Sequence, residues 1–182
     1  LRSVAFSDGG RLAIGAASDG SVRVWEGFVG PLRHTIGGDN ETVRMAEASL
    51  DGRWLATADT NTSTIKLWSL QSGNLLYTLD GHMGAINSMA FSPDCTLLTA
   101  ASADNTASIW QTDSGELIQK LTTHTAPVVK AVFSPAGHLV ATASHDGTAR
   151  LWDSASGVER GILSGHGAPL LTLCFTPDGN RL

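Results

Sequence analysis

Basic residues and long apolar runs are both scarce in this sequence. Only 12 of its 182 residues are Lys or Arg, against 17 Asp or Glu, which gives a net charge of −5. This acidic balance disfavours nucleic acids and membrane surfaces as partners, because non-specific binding to either depends on basic patches. No apolar run approaches the roughly 20 residues that span a bilayer, and no signal or transit pattern stands at the N-terminus. We therefore expect no membrane partner, and we keep nucleic-acid binding only as a disfavoured alternative.

Cysteine is scarce as well. Cys95 and Cys174 are the two in the sequence, too few for a metal site of their own or for the disulfide framework of a small secreted protein. Neither has a base partner at a recognisable spacing. The sequence thus predicts two reduced thiols in a cytoplasmic protein, with the nucleus as a second location. It predicts no cofactor and no bound metal.

What the sequence does contain is a repeat of about 42 residues. Four tryptophans lie 43, 42 and 42 residues apart, three histidines lie 42 residues apart, and a glycine follows each of these tryptophans after five residues. A fixed period of this length is the signature of a repeat architecture. The residues concerned are Trp25, Trp68, Trp110 and Trp152, His82, His124 and His166, and Gly30, Gly73, Gly115 and Gly157.

One period predicts four short strands. The expected strands are 85–92, 96–103, 106–111 and 117–123, and turn residues such as Pro93-Asp94 separate them. No helix-length stretch with a 3.6-residue period competes with this pattern. The chain is therefore predicted to be all-β.

The combination of Gly81-His82, Asp104 and Trp110 in such a unit resembles the WD-repeat β-propeller family. The resemblance covers essentially the whole chain and implies four-stranded antiparallel blades around a central channel. About 4.3 repeats are present, so we expect residues 1–182 to be part of a larger propeller. The expected units are approximately 1–38, 39–80, 81–122, 123–164 and an incomplete 165–182.

The resemblance also implies a buried hydrogen-bond network in each blade, formed by a histidine, a hydroxyl, a turn aspartate and a tryptophan. Buried groups of these types need partners, so the loss of one leaves others unsatisfied. Thr99 and Thr142 are alternatives for the hydroxyl. The first unit has Ala17 at the hydroxyl position, and the second has Asp39 in place of the histidine. The expected members are His82, Ser102, Asp104 and Trp110, then His124, Ser144, Asp146 and Trp152, and from the other units Asp19, Trp25, Trp68 and His166.

Ser144, His145 and Asp146 are consecutive and have the residue types of a hydrolase triad. Neighbours on an extended strand point to opposite faces, so these three cannot form one. No GxSxG, Walker, HExxH or CxxC motif is present. The sequence predicts no catalytic residue, and it assigns Ser144 and Asp146 to the structural network while His145 faces outward.

Function is then expected on a surface, and by analogy with the family the chain is predicted to be a non-catalytic scaffold or sensor that binds proteins or peptides. Loops on a rigid scaffold are where recognition residues concentrate. The alternative is an enzyme or ligand-binding propeller whose active residues lie in other blades. Open blade edges also predict self-association. The candidate partner-binding residues are Asn40, Glu41, Asp59, Asn61, Met83, Ala103, Thr125 and His145.

Overall fold

A computed structural model describes residues 3–27, 30–37, 43–59 and 63–182. These residues form sixteen β-strands and one short 3-10 turn at Asp8–Gly10. The strands make four separate antiparallel sheets, each built from four strands that are consecutive in the chain. This arrangement confirms the all-β fold of four-stranded blades. Within the described residues no helix has the length and hydrophobicity to cross a membrane.

The four sheets share one plan, in which each strand pairs with the next. Sheet 1 contains β1 (Ser3–Ser7), β2 (Leu12–Ala16), β3 (Ser21–Glu26) and β4 (Leu32–Gly37). Sheet 2 contains β5 (Val43–Ala48), β6 (Trp54–Asp59), β7 (Ile65–Ser69) and β8 (Leu75–Leu79). Sheet 3 contains β9 (Ile86–Phe91), β10 (Leu97–Ser102), β11 (Ala107–Gln111) and β12 (Leu117–Leu121). Sheet 4 contains β13 (Val128–Phe133), β14 (Leu139–Ser144), β15 (Ala149–Asp153) and β16 (Glu159–Leu163).

The chain divides into two compact units. The N-terminal unit, Leu1–Asp80, contains sheets 1 and 2, and the C-terminal unit, Gly81–Leu182, contains sheets 3 and 4. Each unit has its own apolar core between its two sheets. The first core includes Ile14, Val24 and Leu55, and the second includes Ile109, Val128 and Phe133.

The repeated tryptophan occupies the same place in every sheet. It lies near the end of the third strand, and the pairing with the outer strand shifts register immediately before it. A bulge of this kind re-aims the side chain that follows it. The four tryptophans are therefore set by the same local irregularity. They are Trp25, Trp68, Trp110 and Trp152.

The turn between the first two strands needs a left-handed residue. Gly52 and Gly137 have φ of 74° and 78° at this position. Cys95 takes the same position in sheet 3 with φ of 61°. Because a side chain rarely adopts this conformation, the cysteine carries a backbone cost that the glycines avoid.

Two of the glycines that follow the tryptophans, Gly73 and Gly157, pack against a side chain of the preceding sheet. In the C-terminal unit the Gln119 Nε2 amide donates to the Ala155 carbonyl at 2.9 Å. An added Cβ on Gly157 would lie 2.6 Å from Gln119 Oε1. In the N-terminal unit His34 Nε2 lies 3.1 Å from the Gln71 carbonyl, and an added Cβ on Gly73 would lie 3.0 Å from the His34 ring. A side chain here would displace the contact that joins an outer strand to the following sheet.

Candidate functional site

Sheet 4 contains a complete buried network around His124. The strand β14 and the turn after it carry the hydroxyl and the aspartate, and β15 carries the tryptophan. His124 Nδ1 lies 2.7 Å from Asp146 Oδ2. The other carboxylate oxygen accepts bonds from the backbone N–H and the hydroxyl of Thr148, at 2.9 and 2.6 Å. The carboxylate thereby fixes the turn and the histidine together.

The hydroxyl that joins the histidine to the tryptophan belongs to Thr142. The Trp152 indole N–H donates to Thr142 Oγ1 at 2.8 Å, and Thr142 Oγ1 lies 2.7 Å from His124 Nε2. A neutral His124 with its proton on Nδ1 satisfies every bond, because Thr142 then donates to Nε2. The chain therefore runs from Trp152 through Thr142 and His124 to Asp146.

This geometry corrects the expectation that Ser144 provides the linking hydroxyl. Ser144 Oγ instead donates to the Ala126 carbonyl at 2.8 Å and accepts the Asp146 N–H at 3.1 Å. Thr142 and Ser144 point to the same face of the strand, being two residues apart. Thr142 lies nearer the tryptophan, since Val140 pairs with Trp152 across the sheet. Ser144 lies at the end of β14, where it ties the loop before β13 to the following turn.

Sheet 3 holds its own histidine in the same way. His82 Nδ1 lies 3.0 Å from Asp104 Oδ2. Asp104 Oδ1 accepts the N–H and the hydroxyl of Thr106, at 3.0 and 2.6 Å. Ser102 Oγ donates to the Gly84 carbonyl at 2.9 Å, as Ser144 does to Ala126. The expectation that Ser102 links the histidine to Trp110 is corrected for the same reason.

Sheet 3 has no hydroxyl at the linking position. Its strand register places Ala100 where Thr142 stands in sheet 4, since Leu98 pairs with Trp110. His82 Nε2 is buried, and among the described residues it has no hydrogen-bond partner. The His82 ring meets Trp110 edge-on at 5.5 Å between centroids, whereas His124 and Trp152 are 6.3 Å apart. The two networks thus differ by one residue.

Burial and the carboxylates act in opposite directions on the two histidines. Burial lowers the pKa of His82 and of His124, while Asp104 and Asp146 each raise the pKa of the histidine beside them. Burial has the larger effect and both histidine pKa values are lowered. Burial also raises the pKa of Asp104, but hydrogen bonds from Thr106 and from the Met83 N–H outweigh it and lower that pKa to about 2. At neutral pH both histidines are therefore neutral and both aspartates are ionised.

The other expected members of the network lie in different settings. Trp68 Nε1 donates to Thr57 Oγ1 at 2.8 Å, so sheet 2 has the same tryptophan–threonine bond as sheet 4. Asp19 binds the backbone N–H and the hydroxyl of Ser21, at 3.0 and 2.6 Å, and these bonds lower its pKa to about 2. Trp25, in sheet 1, is partly buried.

His166 was expected to join a network, and the structure shows it exposed instead. The turn aspartate follows the histidine by 22 residues in sheets 3 and 4, and that spacing from His166 extends past residue 182. His166 lies beside Gly167 and Pro169 in an open groove that His145 and Asp146 also line. The described residues include no turn aspartate at this spacing from His166, and its assignment to a buried network stays a prediction.

Four of the candidate partner-binding residues form what we call the loop surface, namely Met83, Ala103, Thr125 and His145. All four are exposed, and Met83 is 90% exposed. They lie in the loops at one end of sheets 3 and 4. The Ala103 N–H donates to the Ala85 carbonyl at 2.9 Å, and the His145 N–H donates to the Pro127 carbonyl at 3.0 Å. These bonds hold the loops of each sheet side by side.

The loop surface rests directly on the buried networks. The Met83 N–H donates to Asp104 Oδ2 at 2.8 Å, and the Thr125 N–H donates to Asp146 Oδ2 at 3.2 Å. The oxygen that holds each histidine therefore also holds the backbone of the next, exposed residue. The network acts as a support that presents these residues in a fixed position.

The remaining candidates are placed differently. Asp59 is the last residue of β6 and is partly buried opposite Val43. Asn40, Glu41 and Asn61 lie outside the described residues.

The Ser144-His145-Asp146 segment does not have the geometry of a triad. Ser144 and its hydroxyl are buried in the bonds to Ala126 and Asp146, while His145 is exposed on the loop surface. Asp146 binds His124, on a different loop. Over the ranges that the structure describes, no group of three or more His, Cys, Asp or Glu side chains is placed to hold a metal ion.

Two contacts between sheets 3 and 4 were not anticipated from the sequence. Asn87 Nδ2 donates to the Val128 carbonyl at 2.8 Å, and Ser88 Oγ accepts the Ala131 N–H at 2.9 Å. Both polar side chains lie on β9 and bind the backbone of β13. The signal available in the sequence was a pair of polar residues within an otherwise apolar strand.

These sheets and networks agree with a family model for the WD domain, G-beta repeat, which matches residues 1–26, 73–111 and 115–153. The matched residues make up more than half of the chain. The chain belongs to the WD-repeat family.

Several WD-repeat proteins are similar to this member of the family. WD repeat and SOCS box-containing protein 1 of Mus musculus is 33% identical over 87 residues, which cover 47% of this chain and 21% of that protein. Apoptotic protease-activating factor 1 of Rattus norvegicus is 32% identical over 94 residues, covering 47% and 7%. WD repeat-containing protein 3 of Homo sapiens is 32% identical over 106 residues, covering 57% and 11%. The matching segments span about a fifth or less of these relatives.

Proposed function

We propose that this WD-repeat chain is a non-catalytic protein-interaction scaffold and that a protein or peptide partner binds its loop surface. A general role as interaction scaffolds is what the WD-repeat relatives support. The finer assignment to the loop surface is supported by one observation: Asp104 and Asp146 each bind a buried histidine and the backbone of the exposed residue that follows it. Residues held in this way lose little conformational entropy when a partner binds.

The chemistry of the loop surface favours a partner with apolar or uncharged contact groups. Met83 and Ala103 are apolar, Thr125 is neutral, and both nearby carboxylates are already bonded to histidine and backbone donors. An exposed methionine adapts to differently shaped partners because its side chain is unbranched and flexible. In this proposal the scaffold works in the cytoplasm, without a cofactor and without nucleic-acid or membrane contacts.

The test compares one substitution at the two ends of the sheets. Ala103→Glu places a charge on the loop surface, and Ala136→Glu places the same charge in the exposed β13–β14 turn at the opposite end. Partners captured from an extract of the source cells by the native chain should be lost with Ala103→Glu and retained with Ala136→Glu. Equal capture by both variants would place the binding site elsewhere.

We also propose that this 182-residue chain self-associates through the outer faces of its sheets. Phe6 is 51% exposed in sheet 1, whereas Phe133, which holds the equivalent register position in sheet 4, is 9% exposed. Leu163 is 46% exposed, whereas its equivalent in sheet 3, Leu121, is 1% exposed. Apolar faces of this kind favour association. Light scattering across a concentration series should show a mass that rises above the monomer, and a constant monomer mass would contradict the proposal.

A further inference from the structure

Two buried polar atoms, His82 Nε2 and Ser108 Oγ, lie on the face of sheet 3 that carries Ala100. Ala100 and Ser108 are directly paired across β10 and β11, so their side chains project from the same face of the sheet. Ser108 is fully buried, and its hydroxyl, like His82 Nε2, has no hydrogen-bond partner among the described residues. Trp110, two residues after Ser108, faces the same side and meets the His82 ring.

Unpartnered buried atoms of this kind are costly. Burying a polar group without a hydrogen bond costs about 1–3 kcal/mol, so most such groups in proteins have a partner, whether protein or ordered water. The Ala100 carbonyl raises the pKa of His82, but a carbonyl only accepts and cannot donate a hydrogen bond to an unprotonated Nε2. No protein group in the described chain therefore satisfies His82 Nε2.

In sheet 4 a protein group occupies the place that is equivalent to the one beside Ala100. There Thr142 Oγ1 lies 2.7 Å from the histidine and 2.8 Å from the tryptophan nitrogen. Threonine has two more heavy atoms than alanine, which is about the volume of one water molecule, roughly 30 Å³. The position of the Thr142 hydroxyl therefore indicates where a water oxygen beside Ala100 would bond to the histidine.

The polar lining of this site suits one water molecule and no larger ligand. A neutral His82 that donates from Nδ1 to Asp104 has an acceptor at Nε2, and the Ser108 hydroxyl can donate or accept. Lys120 pairs with Ser108 in the neighbouring strand and reaches the Gly81 carbonyl at 2.7 Å. The lysine side chain therefore extends over this face towards the loop that holds His82.

We propose that one buried water molecule binds beside Ala100, donates a hydrogen bond to His82 Nε2 and forms a second hydrogen bond with Ser108 Oγ. Towards the histidine, the water takes the part that the Thr142 hydroxyl plays in sheet 4. It completes the network of sheet 3 and remains bound for as long as the sheet stays closed.

Crystals of the chain that diffract to about 1.8 Å test the proposal directly. The expected result is a water peak within about 2.7–3.2 Å of both His82 Nε2 and Ser108 Oγ. Thr142 in sheet 4 is the internal control, where the hydroxyl itself should occupy this place. A direct bond between Ser108 and His82, or the absence of a peak between them, would overturn the proposal.

A solution measurement gives the same answer without crystals. Water magnetic relaxation dispersion counts long-lived buried waters, and Ala100→Thr should remove one of them while Thr142→Ser, the matched control, leaves the count unchanged. Ala100→Ser, which adds less bulk, serves if the threonine variant does not fold. An unchanged count in a folded Ala100 variant would show that no water occupies the site.

Discussion

In sheet 4 a buried threonine hydroxyl joins the histidine to the tryptophan, and in sheet 3 a methyl group stands at the same place. In both networks the carboxylate binds the histidine, the turn and the loop backbone. The histidine–aspartate distance is shorter in sheet 4, at 2.7 Å against 3.0 Å. One side chain thus separates a network closed by protein groups from one that leaves a buried nitrogen without a protein partner.

This comparison shows that a repeat can keep its fold while its buried bonds vary. The tryptophan–threonine bond is present in sheets 2 and 4, through Thr57 and Thr142. The equivalent residues in sheets 1 and 3 are Gly15 and Ala100. Backbone pairing and apolar packing suffice to form each sheet, and the hydroxyl adds to its stability.

The largest effect is expected from the loss of the carboxylate in sheet 4. Asp146→Ala removes the partner of buried His124 and leaves the donors of Thr125 and Thr148 unbonded, which should cost about 3–4 kcal/mol of unfolding free energy. Asp104→Ala should cost less, because Asp104 binds its histidine at a longer distance, 3.0 Å against 2.7 Å for Asp146. Urea unfolding measures both. Asp153→Ala, which removes a surface ion pair with Arg160 and two hydrogen bonds from Ser156, is the control and should lose less. An equal or larger loss for Asp104→Ala would break the comparison.

Acid should act on both networks in two stages. The histidine pKa values are lowered in the folded state, so the unfolded chain binds more protons below about pH 6.5 and stability falls there. The lowered pKa of Asp104, about 2, contributes stability that is present above about pH 4 and is lost as the pH falls towards 2. This second stage amounts to roughly 2 kcal/mol. Urea midpoints measured from pH 8 to pH 2 should fall in this order, and a constant midpoint would contradict it.

Thr142→Ala converts sheet 4 to the arrangement of sheet 3. It leaves the Trp152 and His124 nitrogens without the threonine hydroxyl and should cost about 1–2 kcal/mol. Thr142→Ser keeps the hydroxyl and should lose less. Thermal or urea unfolding of the two variants distinguishes the effect of the lost hydrogen bonds from that of the lost side-chain volume. Equal losses of stability in the two variants would show that packing alone is responsible.

Ala100→Thr makes the opposite conversion and should stabilise sheet 3. The new hydroxyl bonds His82 Nε2 directly, and the gain is expected to be about 1 kcal/mol, or a rise of roughly 2–4 °C in Tm for a chain of this size. Ala100→Val has nearly the same shape without the hydroxyl and is the matched control. A Tm that rises equally with valine would show that the hydroxyl contributes nothing.

The smallest effect on stability is expected at His145. Its side chain is exposed and lies outside both networks, so His145→Ala should change the unfolding free energy by less than about 0.5 kcal/mol. Partner capture by the same variant tests its part in the loop surface. A large loss of stability would show that His145 belongs to the structural framework after all.

The sequence predicted the strands of sheet 3 and the histidine–aspartate pairs of sheets 3 and 4 well, because these depend on a period of 42 residues and on turn residues that act locally. The prediction named Ser144 as the hydroxyl that links the histidine to the tryptophan, whereas the structure places Thr142 there. Both residues point to the same face of one strand, and spacing alone does not separate two positions of equal orientation. The contacts of Gln119 and Asn87 with a neighbouring sheet were also missed, since their partners are backbone carbonyls that have no sequence signature.

The amino-acid sequence by itself determined the four-stranded units, their turns and the identity of the family, because hydrophobic alternation and turn chemistry are properties of neighbouring residues. The tertiary structure decided which hydroxyl completes each network and which residues become the loop surface. These depend on the register between strands and on how Asp104 and Asp146 bind loops some 20 residues earlier in the chain. Such long-range pairings form only when the sheets are assembled. The difference between Ala100 and Thr142 therefore changes the hydrogen-bond network only in the folded chain.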